Sequence, residues 1–399
     1  MNPIARTSPY QPNRREALLA LVATALLPAC GGGDVAGVSS GGTGSYTTGV
    51  IVGLGSIIVN GIRYDDTAAS VSLDGQSSSA ADLQLGMVVR IRGSAVTPAA
   101  TAGALATATA SSIACGSEWK GPITDVDVSG NTFRMFGQTV HVLATTVFTG
   151  GSFSGDLDGR EAEVYGFIDP TDGSLQASRV EIEDSPLERY RISGVVADLT
   201  ATTFLLGSAL IDHDAAIKPA SLANGQLVRV ELQTTPVAGA WVAVEVKVED
   251  YSDELDDQDE AEIEGSITSF TSPQAFSVNG IPVDASGITP PAGLALGVRV
   301  EVKGAVVNGS VVATDIEIED ESELEAQEFE FHGEISALDT TAKTFVIRGY
   351  TIRYNDGSGP DATVFELGGS AWANGLSAEV KAVIDQSGAL RATRIETDD

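Results

Sequence analysis

From about residue 46 onward, apolar and polar positions alternate in short runs, the period of a strand with one face buried and the other in water. The alternation is plainest in Val244-Glu245-Val246-Lys247-Val248-Glu249 and in Ile316-Glu317-Ile318-Glu319. The runs also recur in a fixed order. A glycine opens a strand-like run at Gly49 (GVIVGLGS), Gly121 (GPITDVDV), Gly194 (GVVADLTA), Gly265 (GSITSFTS) and Gly333 (GEISALDT), at intervals of 72, 73, 71 and 68 residues. A second glycine opens an alternating run at Gly61, Gly137, Gly207, Gly280 and Gly349, and a third leads a charged strand at Gly86, Gly159, Gly225, Gly297 and Gly375. Landmarks repeated at one period mean copies of one supersecondary unit, and here there are five.

Between the first two runs lie Asp127-Val128-Ser129-Gly130-Asn131, Asp198-Leu199-Thr200-Ala201-Thr202 and Asp339-Thr340-Thr341-Ala342-Lys343, whose side chains suit hairpin turns. The residues Phe133, Phe204, Phe276 and Phe345 that follow at equivalent places are expected core anchors. Stretches such as Ala80 to Leu85 or Pro219 to Ala223 are too short for more than a turn or two of helix. The expected fold is all-β: five tandem, small, five-stranded OB-like β-barrels arranged as beads on a string, closure removing the exposed sheet edges. The expected barrels span 46–115, 116–187, 188–250, 262–320 and 328–399, with acidic linkers at 251–261 and 321–327. A domain of this size buries only about 60% of its unfolded-chain surface, so packing between neighbours is expected to help.

These motifs resemble a known family, exported bacterial proteins with tandem copies of domain of unknown function 5666. The resemblance rests on the Gly-x-Ile/Val opening, the Asn60-Gly61-Ile62 and Asn279-Gly280-Ile281 steps, the stretches Leu83 to Val89 and Leu294 to Val300, and the Ile-Glu-like endings. It implies a fold type and an envelope setting, and it brings no catalytic residue with it. The third unit departs from the pattern in lacking a glycine after VRVEL, and the fifth carries an insertion near Asp356 to Thr363.

The first residues carry a different signal. Arg14 and Arg15 precede an apolar run from Ala17 to Leu27, which at 11 residues is too short to span a bilayer but suits a signal-peptide core. It ends in Leu27-Pro28-Ala29-Cys30, which resembles a lipobox. That resemblance implies a signal peptide over 1–29, lipidation of Cys30 as the mature N-terminus, and a Gly/Ser-rich tether over 30–45. The stretch from Asn13 to Leu19 looks like an incomplete twin-arginine signal, so the export route stays open. Gly31, rather than Asp, after the cysteine points to the outer membrane.

Charge narrows the partners. The whole chain is at -32, and removing residues 1–29 deletes three arginines and one glutamate, a net +2, leaving -34. Such a chain repels nucleic acid and anionic lipid heads. Cys115, the only cysteine left once Cys30 is lipidated, reads as a small buried residue rather than a reactive thiol. The acidic linkers read as solvated, self-repelling connectors able to associate weakly with divalent cations. Asp125-Val126-Asp127-Val128-Ser129-Gly130-Asn131 begins like a calcium loop but lacks the distal glutamate, so a hairpin turn is the reading.

No catalytic set emerges. His141, His213 and His332 fall in different units, and Asp212-His213-Asp214 reads as a solvent-facing strand end. Gly151-Ser152-Phe153-Ser154-Gly155 lacks a partner histidine, and Gly53-Leu54-Gly55 lacks the helix of a phosphate cradle. Paired carboxylates are uninformative among 55 acidic residues. Trp119, Trp241 and Trp372 suit stacking on sugars, but packing between domains is the stronger reading.

The sequence therefore predicts a non-enzymatic, lipid-anchored cell-envelope protein, a multivalent binding or spacer array, without cofactor, metal site or catalytic residue. Its expected partners are the membrane through the N-terminal lipid, an envelope protein or glycan ligand, and weakly held divalent cations. A calcium-responsive envelope module using the acidic linkers is the alternative, and an envelope carbohydrate-binding or processing protein the third.

Overall fold

The alternating runs form strands, and the strands close on themselves. The computed structural model describes residues 44–101, 103–252, 255–319 and 327–398. Cys30, with the signal and tether segments, lies outside them, as does most of the acidic stretch at 321–327. The second unit shows the pattern. Trp119–Pro122 pairs antiparallel with Glu161–Ile168 and continues as Thr124–Asp127, which pairs antiparallel with Thr132–Met135. Thr132–Met135 pairs with Gln138–Thr149, which runs parallel to Leu175–Ile182, and that strand returns antiparallel to Glu161–Ile168. The circuit runs first, second, third, fifth, fourth and back to first.

The other four segments repeat this circuit, including the parallel pairing of third and fifth strands, in Ile62–Asp65 with Ala106–Cys115, Ala209–Asp212 with Trp241–Val248, Ile281–Asp284 with Ser310–Ile318, and Tyr350–Arg353 with Leu390–Thr397. The chain is thus all-β and barrel-like. Among the described residues, helix occurs only as short 3-10 turns, such as Ala80–Asp82 and Gly155–Leu157. Phe133, Phe204, Phe276 and Phe345 are buried in the cores, as their recurrence predicts.

The first recurring glycine marks the place where the first strand changes partner. Up to Ser266 the strand Gln258–Ser272 pairs with the fourth strand, and from Ile267 it pairs with the second. A side chain from the hairpin that joins second and third strands lies over this point. A Cβ on Gly49 would meet Asn60, one on Gly265 would meet Asn279, and one on Gly121 would come within 2.6 Å of the Phe136 ring. Leu206 and Arg348 lie against Gly194 and Gly333 in the same way. The glycine recurs because another residue occupies the space of its side chain.

The barrels are not beads on a string, and this corrects the sequence expectation. Gly44–Val50 of the first barrel pairs parallel with Gln258–Ser272 of the fourth, from Ser45↔Glu260 to Thr48↔Ile263. Gly53–Leu54 pairs parallel with Phe329–Glu334 of the fifth, and Trp119–Pro122 of the second meets Tyr190–Ala197 of the third at Lys120↔Arg191. Side-chain packing merges the cores of the first and fifth barrels, and likewise those of the second and third. The physical reason is size: barrels this small have too little interior to stand alone. First strands that switch partners also leave backbone groups for a neighbour to pair.

The same packing revises the acidic linker at 251–261. Leu255 is buried, and Gln258 to Ala261 begin a strand instead of a solvated connector. Their backbone is taken up by pairing with the first and fourth barrels, which outweighs repulsion among the exposed carboxylates.

Two measurements check this arrangement. Small-angle scattering of a soluble form starting at Gly44 should give a radius of gyration of about 20 Å, whereas freely hinged barrels would exceed roughly 30 Å. Gly121→Ala should lower unfolding free energy by about 1–3 kcal/mol in urea, because the new methyl group displaces the Phe136 ring.

Candidate functional site

Period two puts alternate residues of each first strand on the outside, and the register sets them against the outward residues of the fourth strand. The resulting pairs are Tyr46↔Arg92 and Thr48↔Arg90 in the first barrel, and Lys120↔Glu163 in the second. They are Arg191↔Glu231 and Ser193↔Arg229 in the third, Glu262↔Lys303 and Glu264↔Glu301 in the fourth, and Glu330↔Lys381 and His332↔Glu379 in the fifth. Every barrel therefore presents one polar face at an equivalent place, and neighbouring barrels cover much of it.

Where the first, second and third barrels meet, these faces neutralise each other. Asp74, on a turn of the first barrel, binds Lys120 Nζ of the second at 2.7 Å and the Arg191 guanidinium of the third. Lys120 also reaches Glu163 at 2.6 Å, and Arg191 Nε reaches Glu231 at 2.7 Å. Burial alone would raise the Asp74 carboxyl, but Arg191 and Lys120 hold it below the usual carboxylate range. Nearby, a cavity of about 40 Å³ is lined by residues of four barrels, including Arg90, Glu118, Arg229 and Tyr251. Arg90 lies over the Tyr251 ring at 4.2 Å and donates to its hydroxyl at 3.2 Å, while Arg229 binds Glu249 at 2.9 Å. Glu118 is pushed up to about 7, by burial first and then by the Glu249 charge, with Arg229 opposing.

The fourth and fifth barrels differ in charge at these positions. In the fourth, Glu262 is pushed up to about 8, by burial and by its hydrogen bond with Glu301, so that one proton serves two carboxyls. Arg299 bridges Glu264 and Glu319 there, and its guanidinium lies 4.2 Å from the Phe167 ring of the second barrel. In the fifth, Glu330, His332 and Glu379 bring their ligating atoms within 4.8 Å of one another. Sequence reading missed this group because Glu379 arrives from a distant strand through register. The usable signal was the Glu330-Phe331-His332 step, which puts two ligand types on one strand face.

The remaining candidates scatter. Cys115 is buried, and burial pushes its thiol up to about 12, as suits an inert residue. His141 is exposed, whereas His213 is not the solvent-facing residue expected. Its side chain is buried at 3% exposure against Phe204, at a ring separation of 5.2 Å, because the strand end folds inward there. Asp127 accepts hydrogen bonds from Ser129 Oγ at 2.6 Å and Gly130 N at 3.0 Å, which makes Asp125 to Asn131 a hairpin turn. Trp119 is fully buried and donates to the Ser193 carbonyl of the third barrel at 3.0 Å. Trp241 stands edge-on to Phe136 of the second barrel at 5.1 Å, and Trp372 packs on Phe345, Tyr354 and Phe365 within its own barrel.

Comparison with known proteins agrees with the repeats. Residues 120–181, 264–317 and 332–396 each match the domain of unknown function (DUF5666). The three matches lie in tandem, consistent with repeats of that family. The matched segments begin in the first strands of the second, fourth and fifth barrels, so the family's repeating unit corresponds to the closed circuit. No curated protein matches this chain in sequence. Among solved structures it is similar to one titled "drosophila Unr CSD456", with 14% identity over 42% of this chain and 78% of that chain. The TM-score is 0.17, too low to relate the two folds.

The raised Glu118 carboxyl has a measurable consequence. An unfolded glutamate loses its proton near the ordinary 4.5, while the folded one keeps it to about 7. The unfolded state therefore binds fewer protons in that window, and this residue's contribution to stability falls as pH rises through it. Wild type should lose thermal stability relative to Glu118→Gln between pH 4.5 and 7. A constant difference between their melting midpoints would disprove the assignment.

Proposed function

We propose that this is a non-enzymatic scaffold of the cell envelope, a block of five OB-like domains held at a membrane by lipid on Cys30. The observation that carries the reading is the position of the first barrel. It pairs strands with the fourth and fifth, and through Asp74 it binds the second and third. A chain built this way keeps its surfaces at fixed distances, which is the property a spacer or assembly platform needs. The same circuit in all five segments, with third and fifth strands parallel, supports assigning each one as an OB-like domain.

Two rivals have weaker support. A calcium-responsive module acting through the acidic linkers needs free chain to stiffen, and Gln258 to Ala261 are already strand. A carbohydrate binder needs exposed rings, and Trp119 and Trp241 are used in packing between the second and third barrels. Outer-membrane residence follows from the lipobox-like string and Gly31.

Anchoring and scaffolding are tested separately. Cys30→Ala should move the protein from the membrane fraction to the soluble fraction and abolish incorporation of labelled palmitate. The full chain should show no saturable binding to peptidoglycan or lipopolysaccharide glycans. Saturable glycan binding that a single surface substitution removes would replace the scaffold reading with a lectin-like one.

A further inference from the structure

We propose that the fifth barrel carries a divalent transition-metal site made by Glu330, His332 and Glu379, which Arg63 of the first barrel closes when no metal is bound. The three ligands come from two adjacent strands. Glu330 and His332 are two residues apart on Phe329–Glu334, hence on one face, and Glu379 on Ser377–Ile384 is directly opposite His332 in the antiparallel register. His332 Nε2 lies 2.8 Å from Glu330 Oε1 and 3.9 Å from Glu379 Oε2, separations that suit donors around one small ion. The site is largely dry: side-chain exposures are 6% for His332, 13% for Glu330 and 25% for Glu379.

Two further observations separate this group from a chance acidic cluster. The first is the other ring nitrogen: His332 Nδ1 lies 3.1 Å from Asp398 Oδ1. A carboxylate placed to accept from the far ring nitrogen is the supporting contact that orients metal-bound imidazoles. The second is that a cation already occupies the position. Arg63 Nη2 lies 2.5 Å from Glu330 Oε1 and 2.7 Å from His332 Nε2. His332 Nε2 thus stands between a donor, Arg63 Nη2, and an acceptor, Glu330 Oε1 at 2.8 Å, the point that a dication would take once the ring gives up its Nε2 proton. Lys381 Nζ, 3.7 Å from Glu330 and 3.8 Å from Glu379, supplies the rest of the compensating charge.

The donor set selects the metal class. One imidazole with two carboxylates suits zinc or a neighbouring first-row dication, while calcium prefers oxygen alone. The fourth barrel holds Glu264 at the place of His332 and fills its face with Arg299 and Lys303, so the imidazole is what distinguishes the fifth. Because Arg63 belongs to the first barrel, metal entry replaces an ion pair that joins the two barrels. Binding of the metal is thereby coupled to the packing of the block.

Calorimetric titration of the EDTA-stripped full chain with zinc chloride tests the site. One equivalent should bind saturably, and an excess of calcium should leave it bound, unlike ions held by the acidic segments. His332→Ala should weaken binding at least about 100-fold, and Asp398→Asn about 10-fold, the usual range for a supporting carboxylate. Arg63→Ala should tighten binding, since it removes the competitor. Cobalt should give visible absorption bands that Glu379→Gln changes, with circular dichroism confirming that the variants fold. If wild type and folded His332→Ala titrate alike, or if calcium displaces the zinc, the site is overturned. If Arg63→Ala weakens binding, the closing role of Arg63 is overturned. Should His332→Ala fail to fold, unchanged affinity in Asp398→Asn together with unchanged cobalt bands in Glu379→Gln overturns the site.

Discussion

The structure depends on a single steric contact, repeated five times: the side chain of a hairpin residue lying over a glycine in the first strand. A barrel of five short strands closes only if its first strand pairs along both edges, and the glycine sits where that strand changes partner. Asn60 over Gly49, Phe136 over Gly121 and Asn279 over Gly265 are versions of this contact with different chemistry. Asn60 Nδ2 donates to the Thr48 carbonyl at 3.0 Å, so the asparagine version also meets a backbone acceptor exposed by the change of partner. The aromatic version supplies apolar area, and it places Phe136 at the seam with the third barrel.

From that contact the charged faces follow. Once the first strand is fixed, its outward residues stand opposite those of the fourth strand in a set register. The pairing then produces a polar face at the same place in each barrel. In solution such a face would gain little, because exposed ion pairs contribute about 0–1 kcal/mol each. Packed barrel against barrel, Asp74, Lys120, Arg191, Glu163 and Glu231 form a connected network with few unmatched charges, and a buried charge deprived of its partner costs far more than an exposed pair contributes. The network therefore opposes wrong pairings of barrels as much as it favours the right one.

Much of the local structure could be read from the sequence, because its causes are local. The glycine spacing, the turns at Asp127 and Asp339, and the buried Phe133, Phe204 and Phe345 each depend on neighbours within one unit. The seams between units could not be read, because they follow from which surfaces meet. Alternation in Gln258 to Ala261 looks like any acidic stretch until Gly44–Val50 is set beside it. His213 looked like a strand-end residue in water, since nothing in Asp212-His213-Asp214 tells that the chain turns inward onto Phe204.

The sequence by itself determined the strand type and the recurring landmarks, since strand period, turn chemistry and glycine sterics act over a few residues. It also carried a lipobox-like string at Cys30, which is a local signal. Only the tertiary structure decided that the barrels pair with one another, that Trp119 and Trp241 lie at a seam, and that Glu330, His332, Glu379 and Arg63 converge. Those outcomes depend on register between strands far apart in the chain, and on surfaces that acquire a partner only after each barrel has closed.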